Sequence, residues 1–298
     1  MAAVLALAVI ALARSGRQVL DHVGELDVPE LLLAQLAMLI GMFATLLTWR
    51  AILADLGSTL PLPAALRVFF LGQLGTYVPG SIWPVVAQME LGKEHGVPRA
   101  RSGTVGLLTV ALTLMAGLLV AAVTLPFTSA HALHTYAWVF LAVPVFAVAL
   151  LPPVANRSLD TLLRLARRGG LSEPLTGKGL VTGLWWAVVA WAFFGLQIFF
   201  LAHALGAEAA KALPLSIGAY ALAWTIGFLV VIAPAGAGVR EAALVVGLSP
   251  VLSQQDALLV ALVSRAISTI GDGVWAGIAV AAARRHRREV PDVTSPAT

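Results

Sequence analysis

Long apolar runs separated by short clusters of arginine and lysine constrain this chain more than any other feature. An α-helix needs about 20 mostly apolar residues to cross the hydrocarbon core of a bilayer. Only 11% of the residues are charged, about half the share found in soluble domains. The sequence therefore predicts an all-α polytopic membrane protein with about six full spans. These lie near residues 1–20, 31–50, 103–125, 135–153, 180–203 and 256–283.

Two further apolar segments, 64–95 and 214–250, are interrupted by helix-breaking residues. The hinge residues are Pro79 and Gly80 in the first segment and Pro234, Gly236 and Gly238 in the second. Because proline removes a backbone donor and glycine weakens a helix, each segment is predicted to form two half-helices, a broken re-entrant hairpin. Such a break survives at membrane depth only where protein or a wet cavity covers it. The alternative is a kink that only shapes packing.

The two breaks lie in opposite halves of the chain, which indicates an internal duplication. Pro79 and Pro234 are separated by about half the chain length. Placing the basic loop 157–168 and the basic tail 284–288 on the cytoplasmic side lets the spans alternate as the positive-inside rule requires. The first broken segment then enters from the cytoplasm and the second from outside. The sequence therefore predicts an inverted repeat.

The domain organisation follows from this repeat. Residues 1–288 are predicted to form a single transmembrane domain with halves of about 1–130 and 131–288, and residues 289–298 a disordered tail. The weak first run, 1–20, lacks a preceding basic residue, so we expect a first span or anchor rather than a cleaved signal peptide. Both termini are expected to be cytoplasmic, in the plasma membrane.

The basic loop that joins the halves is expected to lie on the membrane surface. Over residues 156–170, leucines recur at helical spacing opposite arginines. This pattern is typical of an amphipathic helix that binds anionic headgroups of the inner leaflet. An ordinary solvated loop is the alternative.

Charged residues follow the second break and recur in the last span. Arg240 and Glu241 begin the returning half-helix, while Arg265 and Asp272 share one face of the last span. A buried arginine costs at least about 2.5 kcal/mol on insertion scales, so it must face a partner or a cavity. We predict that these four residues bind a substrate, with both arginines on an anionic group. The alternatives are a local ion pair or snorkelling for Arg240 and a structural network around Arg265.

Polar residues also surround the first break, on both sides of the bend. The predicted substrate-binding residues there are Gln73, Tyr77, Ser81 and Glu90. The alternatives are interfacial anchoring for Tyr77 and plain surface exposure for Glu90.

Several function classes lack any sequence support. The chain has no cysteine, which excludes iron–sulfur clusters, thiolate zinc sites and disulfides. Motifs such as HExxH, GxSxG and the Walker loop are missing, and His131 and His134 lack carboxylate neighbours. The pI near 10 reflects clustered loop charges rather than a nucleic-acid footprint. We therefore expect no enzyme activity, no cofactor, no metal and no nucleic-acid partner.

Three stretches of the chain resemble a known membrane family. They are YVPGSIWPVVAQMELGKEHGVPR, PAGAGVREAAL and SRAISTIGD. The resemblance is to the family that includes the transmembrane region of lysylphosphatidylglycerol synthases and its stand-alone flippase-like relatives, and it covers about residues 30–283. Its matching positions are the Pro79-Gly80 bend with the run to Glu90, the segment from Pro234 to Glu241, and Ser264-Arg265.

The chain also departs from the family pattern in the first half. Many members carry Gly-Glu soon after the first Pro-Gly, where this chain has Ser81-Ile82-Trp83-Pro84. A role carried by that glutamate is therefore lost here unless Glu90 replaces it. Because no soluble aminoacyl-transfer domain follows, the resemblance implies a stand-alone member that moves lipid rather than one that synthesises it.

The leading hypothesis is an integral membrane flippase for an anionic phospholipid or a lipid-linked intermediate. The two hairpins would form a central cavity for the anionic headgroup while the tails stay in lipid, so membrane lipids are the expected partners. Two alternatives stay open: a secondary transporter of a small anion, and a non-transporting membrane partner of a lipid- or glycan-pathway enzyme.

Overall fold

The computed structural model describes residues 27–78, 82–124, 137–165, 173–229 and 238–289. Within these ranges the backbone forms ten α-helices and no strand. Five of the helices are long and apolar enough to cross a membrane. The predicted all-α polytopic membrane fold is confirmed.

The helices follow one another along the chain with short connections. The first five are α1 (Val28–Asp55), α2 (Leu62–Gln73), α3 (Trp83–Lys93), α4 (Arg99–Thr124) and α5 (Ala137–Leu150). The next five are α6 (Pro152–Leu165), α7 (Gly177–Ala204), α8 (Ala209–Leu229), α9 (Val239–Leu248) and α10 (Gln254–Glu289). A 3-10 turn, Leu74–Tyr77, extends α2. The five candidate spans are α1, α4, α7, α8 and α10.

The observed spans differ from the predicted ones in two places. The predicted span 135–153 contains the 14-residue helix α5, which ends at Leu150 because Pro152 starts a new helix. The first arm of the second broken segment, α8, begins at Ala209 instead of residue 214 and has 21 residues. Pro214 thus lies inside α8, where the alanine-rich residues before it sustain the helix. The predicted run 1–20 and residues 290–298 of the predicted tail lie outside the described residues, whereas Glu289, the first residue of that tail, ends α10.

Helices α1 and α7 form the antiparallel centre of the bundle. At one end, the Asp55 carboxylate accepts hydrogen bonds from the backbone N–H and hydroxyl of Thr176, at 2.7 and 2.6 Å. Further along, a methyl group placed at Gly41 would lie 2.5 Å from the Phe194 ring. The end of α1 therefore lies beside the start of α7, and glycine lets the two backbones approach closely.

Trp191 of α7 connects this pair to α4 and α8. Its indole N–H donates to the carbonyl of Thr113 at 2.8 Å, and the side chain is 1% exposed. Edge-on contacts with Tyr220 and Trp224 of α8 complete its surroundings. A buried indole with a satisfied N–H gives large apolar burial without an unpaired donor.

The two broken segments pack reciprocally on the last helices of the two halves. α2 packs on α10, whereas α8 packs on α4. α3 and α9 each return along the first arm of their own segment and pack on the helix that follows, α4 and α10 respectively. Each hairpin therefore lies between helices of both halves of the chain.

The predicted surface helix in the basic loop forms as α6. Asn156 fixes it, because its side-chain amide donates to the carbonyl of Leu175 at 3.0 Å and its oxygen accepts from the Leu175 N–H at 2.9 Å. Leu159 is buried against the core, while the Arg164 side chain is 73% exposed. The amphipathic pattern is thus present, and headgroup binding by this helix stays a prediction.

Candidate functional site

The candidate site lies on one face of α10, within the part of this helix that can span a membrane. Arg265, Thr269 and Asp272 follow one another on this face at spacings of four and three residues, and all three are partly exposed. Arg265 and Asp272 lie two turns apart, about 10 Å along the helix axis. This charged face is the surface on which the two hairpins meet.

The tip of the first hairpin reaches the charged face through Tyr77. Its phenol donates a hydrogen bond to Oδ2 of Asp272 at 2.8 Å, while the Thr269 hydroxyl donates to the Arg265 carbonyl at 3.0 Å. The 3-10 turn that carries Tyr77 is pressed against the returning arm. A methyl group at Gly75 would lie 2.7 Å from the backbone carbonyl carbon of Trp83. Only glycine permits this approach, because the neighbouring backbone cannot yield.

A stack of three rings holds the first hairpin beside Asp272. Trp275 lies parallel to Phe70 of α2 at 4.7 Å between ring centroids, and stacks on Phe43 of α1 at 5.4 Å. Its indole N–H donates to the Leu39 carbonyl at 3.2 Å. The stack packs α2 against α10 one turn beyond Asp272. The turn that follows α2 is thereby held where Tyr77 can reach Asp272.

The second hairpin reaches the same face through Glu241, in the first turn of α9. Its Oε1 accepts from the Arg265 guanidinium at 2.5 Å, and its Oε2 accepts from the Gly238 N–H at 2.6 Å. Gly238 has φ of +88°, which suits glycine and sets the entry into the helix. Side-chain exposure is 13% for Glu241 and 25% for Arg265. Glu241 therefore caps its own helix and neutralises a largely buried arginine.

Arg240, the residue before Glu241, points to a different partner. Its guanidinium donates to the Tyr220 hydroxyl at 2.5 Å and lies over the Tyr220 ring, 4.9 Å from the centroid. α8 makes room for it, because a methyl group at Gly227 would lie 2.9 Å from the Arg240 Cβ. Within the described residues, no carboxylate oxygen lies within 4.0 Å of the Arg240 side-chain nitrogens. Its positive charge is held by an aromatic ring rather than by an acid.

The four charges of the site therefore fall into two kinds. Arg265 and Glu241 neutralise each other, whereas Arg240 and Asp272 are each held by a tyrosine. The charge of Arg240 still acts on Asp272 across the site. Among the described residues, Arg240 and Asp272 are thus a cation and an anion without an ion-pair partner, one beside each hairpin.

The structure brings together most of the predicted second-half residues and one from the first half. Arg265, Glu241, Asp272 and Tyr77 form the connected cluster, with Arg240 directly adjacent. The local ion pair between Arg240 and Glu241, which is one alternative to substrate binding by Arg240, is not made, since Glu241 pairs with Arg265 instead. The site is therefore built between helices and not within α9.

Two predicted residues of the first half make no hydrogen bond or ion pair with the described residues of the cluster. Glu90 is on the exposed part of α3, where Arg99 donates to its carboxylate, and this hydrogen bond lowers the pKa of Glu90 below its ordinary value. Gln73 ends α2 and makes no side-chain hydrogen bond to another described residue. The remaining predicted residues, Ser81 and the hinge positions Pro79, Gly80, Pro234 and Gly236, lie outside the described residues.

Sequence reasoning missed Tyr220 and Trp275. Tyr220 lies 20 residues before Arg240 in an apolar helix, and no spacing rule connects the two. Trp275 follows Asp272 by three residues and shares its helix face, which is a usable signal. A tryptophan in a span nevertheless more often marks an interface or general packing than a specific stack.

The comparisons with known proteins agree with this architecture. The family model described as lysylphosphatidylglycerol synthase TM region matches residues 1–276. No curated protein matches the chain. Because the match covers most of the chain, the protein belongs to this family, and the resemblance noted from its motifs is confirmed.

Proposed function

We propose that this member of the lysylphosphatidylglycerol synthase transmembrane family translocates an anionic phospholipid or a lipid-linked intermediate across the membrane. The observation that carries the proposal is the meeting of two hairpin tips on the charged face of α10, within a membrane span. Intramembrane ionisable residues are costly and usually mark a pathway for an ion or substrate. In transporters, binding sites typically form where broken helices end at membrane depth.

The lengths of the hairpin arms support a re-entrant arrangement. α2 and α3 have 12 and 11 residues, which is about 18 Å or less and too short to cross a hydrocarbon core of about 30 Å. They run antiparallel, since Gly72 lies against Gln88 near the tip while Arg67 pairs with Glu94 at 2.7 Å near the base. The first hairpin thus enters and leaves from one side.

The order of helices supports an inverted repeat. α1 and α7 have 28 residues each, and each is followed by a hairpin and then a long helix. Both end at a Leu-Gly pair in which the glycine has positive φ, +80° at Gly57 and +84° at Gly206. Because α1 and α7 run antiparallel, the halves that they begin are oppositely oriented in the membrane.

Charge asymmetry between the two ends of the bundle supports the orientation. The end at which α1 finishes carries nearly all the described basic side chains outside the site, while at the opposite end the described residues include one lysine, Lys211, paired with Glu208. By the positive-inside rule the first end is cytoplasmic, so the first hairpin opens to the cytoplasm and the second to the outside. The basic residues at the first end are Arg50, Arg67, Lys93, Arg99, Arg101, Arg157, Arg164 and Lys178.

Arg240 is the first contact for a phosphate in this proposal. A phosphate oxygen can replace the neutral Tyr220 hydroxyl as the acceptor, which turns a hydrogen bond to a neutral group into one between opposite charges. Arg265 would contact the phosphate only if Glu241 released its guanidinium. Because Glu241 also caps α9, we expect Arg240 to carry most of the headgroup affinity.

The surface of α10 beside the charged face favours a lipid over a soluble anion. Gly273 and Gly277 lie next to this face, and no described atom would come within 4 Å of a methyl group at either position. Ile270, Val274 and Ile278 follow beyond them and are exposed, as lipid-facing residues are. The open glycine strip thus connects the charged face to lipid, which suits a headgroup inside and tails outside.

The test is headgroup movement in reconstituted vesicles. Purified protein would be placed in phosphatidylcholine vesicles that contain a minor fraction of phosphatidylglycerol with a fluorescent headgroup-proximal label. Added dithionite bleaches label in the outer leaflet only, so bleaching beyond that fraction reports translocation. We expect wild-type protein to expose the inner-leaflet label, Arg240→Gln to slow this strongly, and Lys211→Gln, the matched control, to have no effect.

The alternatives give different results in the same vesicles. Bleaching that stops at the outer leaflet across a panel of anionic lipids, as in protein-free vesicles, would refute the proposal. Uptake of a water-soluble anion instead would identify a secondary transporter. Neither activity, together with full function of Arg240→Gln in cells, would indicate a membrane partner of another enzyme.

A further inference from the structure

We propose that Asp272 binds a proton during each transport cycle, so that headgroup movement is coupled to the proton gradient across the membrane. This inference rests on the proposed function and adds its energy source. It is carried by the position of the Asp272 carboxylate, which lies within a membrane span and accepts a hydrogen bond from Tyr77 at the described end of the first hairpin arm.

The Asp272 carboxylate lies inside a membrane span, on the charged face of α10. It accepts a hydrogen bond from the neutral Tyr77 phenol. Among the described residues, no Lys, Arg or His nitrogen lies within 4.0 Å of its oxygens. A charge in such surroundings is expensive, and carboxylates placed in this way in pumps and transporters typically carry protons.

The groups that face Asp272 come from every helix packed on this part of α10. The first hairpin contributes the Tyr77 phenol, and α9 contributes the charge of Arg240, with Glu241 already bound to Arg265. The polar side chains that α1 and α7 place against α10 are neutral: the Gln35 amide lies by Gly271, and Gln197 accepts from Ser264 at 3.3 Å. Thr269 of α10 itself is also neutral, and its hydroxyl donates to the Arg265 carbonyl. Among the described residues, Arg240 is therefore the cation that opposes protonation of Asp272 and has no carboxylate partner of its own.

Glu241 is the other carboxylate of the site and is poorly suited to this role. A proton there would break the ion pair with Arg265 and weaken the cap on the Gly238 N–H. It would also leave a largely buried arginine unpaired, which is strongly unfavourable. Protonation of Asp272 disturbs a single hydrogen bond, so a proton entering the site is taken by Asp272.

Protonation changes both the net charge of the site and the strength of the hydrogen bond that joins the first hairpin to Asp272. A proton from water forms a covalent O–H bond on the Asp272 carboxylate, and Tyr77 keeps its own phenolic proton. The bond from Tyr77 to Asp272 changes from a charge-assisted to a neutral hydrogen bond, which is roughly half as strong. The net charge of the site rises by one, which favours entry of an anionic headgroup. Proton and headgroup therefore bind together and leave together.

The experiment is the bleaching assay with a pH gradient imposed in either direction. The probe is the same labelled phosphatidylglycerol in phosphatidylcholine vesicles. With one coupled proton, the leaflet distribution of the label should shift by about tenfold per pH unit of gradient, toward the alkaline side. With Asp272→Asn, the leaflet distribution of the label should be the same with and without the gradient. With Tyr77→Phe, it should still depend on the gradient. Asp256→Asn, in the first turn of the same helix, is the matched control and should behave as wild type.

A second measurement reads the proton itself. Infrared difference spectra of the reconstituted protein on acidification should show a carboxylic-acid C=O band that is absent in Asp272→Asn and kept in Glu241→Gln. A leaflet distribution of the label that does not change with the gradient, or a band unaffected by Asp272→Asn, would overturn the coupling and leave the proposed function standing. Wild-type protein that moves no label at all would refute the proposed function, and the coupling with it.

Discussion

The two hairpins meet the same face of α10, yet their tips are held there in different ways. Among the described residues, the first is joined by one hydrogen bond, from Tyr77 to Asp272. The second is joined by the ion pair of Glu241 with Arg265, and the same glutamate also caps α9. The first hairpin also has two short arms, whereas the second has a 21-residue arm and a 10-residue arm.

This difference suggests that the two hairpins have different roles, one moving and one fixed. The tip of the first hairpin can be released by breaking one bond, so it suits a moving part. The second cannot leave α10 without exposing two opposite charges in a low-dielectric setting, so it suits a fixed part that carries Arg240. A rocking motion about the charged face would then be driven from the first hairpin.

The largest expected effect is on the ion pair of the second hairpin. Arg265→Ala leaves Glu241 as an uncompensated and largely buried charge, so we expect a loss of about 3 kcal/mol in the free energy of unfolding. Denaturant unfolding in detergent micelles, followed by tryptophan fluorescence, measures it. The double variant Arg265→Met with Glu241→Gln should recover part of the loss. Equal stabilities of Arg265→Ala and wild type would mean that the pair does not hold this hairpin.

The next effect concerns the packing of the first hairpin. Gly75→Ala places a methyl group 2.7 Å from the backbone of Trp83, and overpacking of this kind costs about 2 kcal/mol. The matched control is Gly273→Ala, where no described atom lies near the new methyl group, and which should be neutral or slightly stabilising. Thermal unfolding distinguishes them, and similar melting temperatures for both variants would contradict the tight tip.

A smaller effect is expected for the hydrogen bond from Tyr77 to Asp272. Tyr77→Phe removes one hydrogen bond to a charged group, which is worth about 1.5 kcal/mol. Hydrogen exchange should increase in α2 and α3 while protection in α9 stays unchanged. Faster exchange in both hairpins would show that their tips do not move independently. It would contradict the assignment of the first hairpin as the moving part and the second as the fixed part.

Much of the fold follows from the sequence, because long apolar runs and helix breakers act locally. The interruption between Tyr77 and Trp83, the helix start at Gly238 and the shared face of Arg265 and Asp272 can be read from the sequence alone. The partners cannot, since Tyr220 meets Arg240 only after α8 and α9 fold back on each other at Gly227. Such contacts depend on how helices cross, and periodicity carries no information about crossing.

The smallest expected effect is at Glu90, and it tests whether the first hairpin contributes more than its tip. Glu90 is exposed on α3 and bonded to Arg99, far along the chain from Tyr77. The lowered pKa means that Glu90 stays ionised at neutral pH, and any stability from this pair is lost only as the pH falls through that lowered value. We therefore expect Glu90→Gln to leave lipid movement at neutral pH unchanged, because an exposed ion pair is screened by solvent and sits outside the cluster. A strong loss of movement in well-folded Glu90→Gln would instead extend the binding surface along α3, and the first hairpin would then bind substrate as well as move.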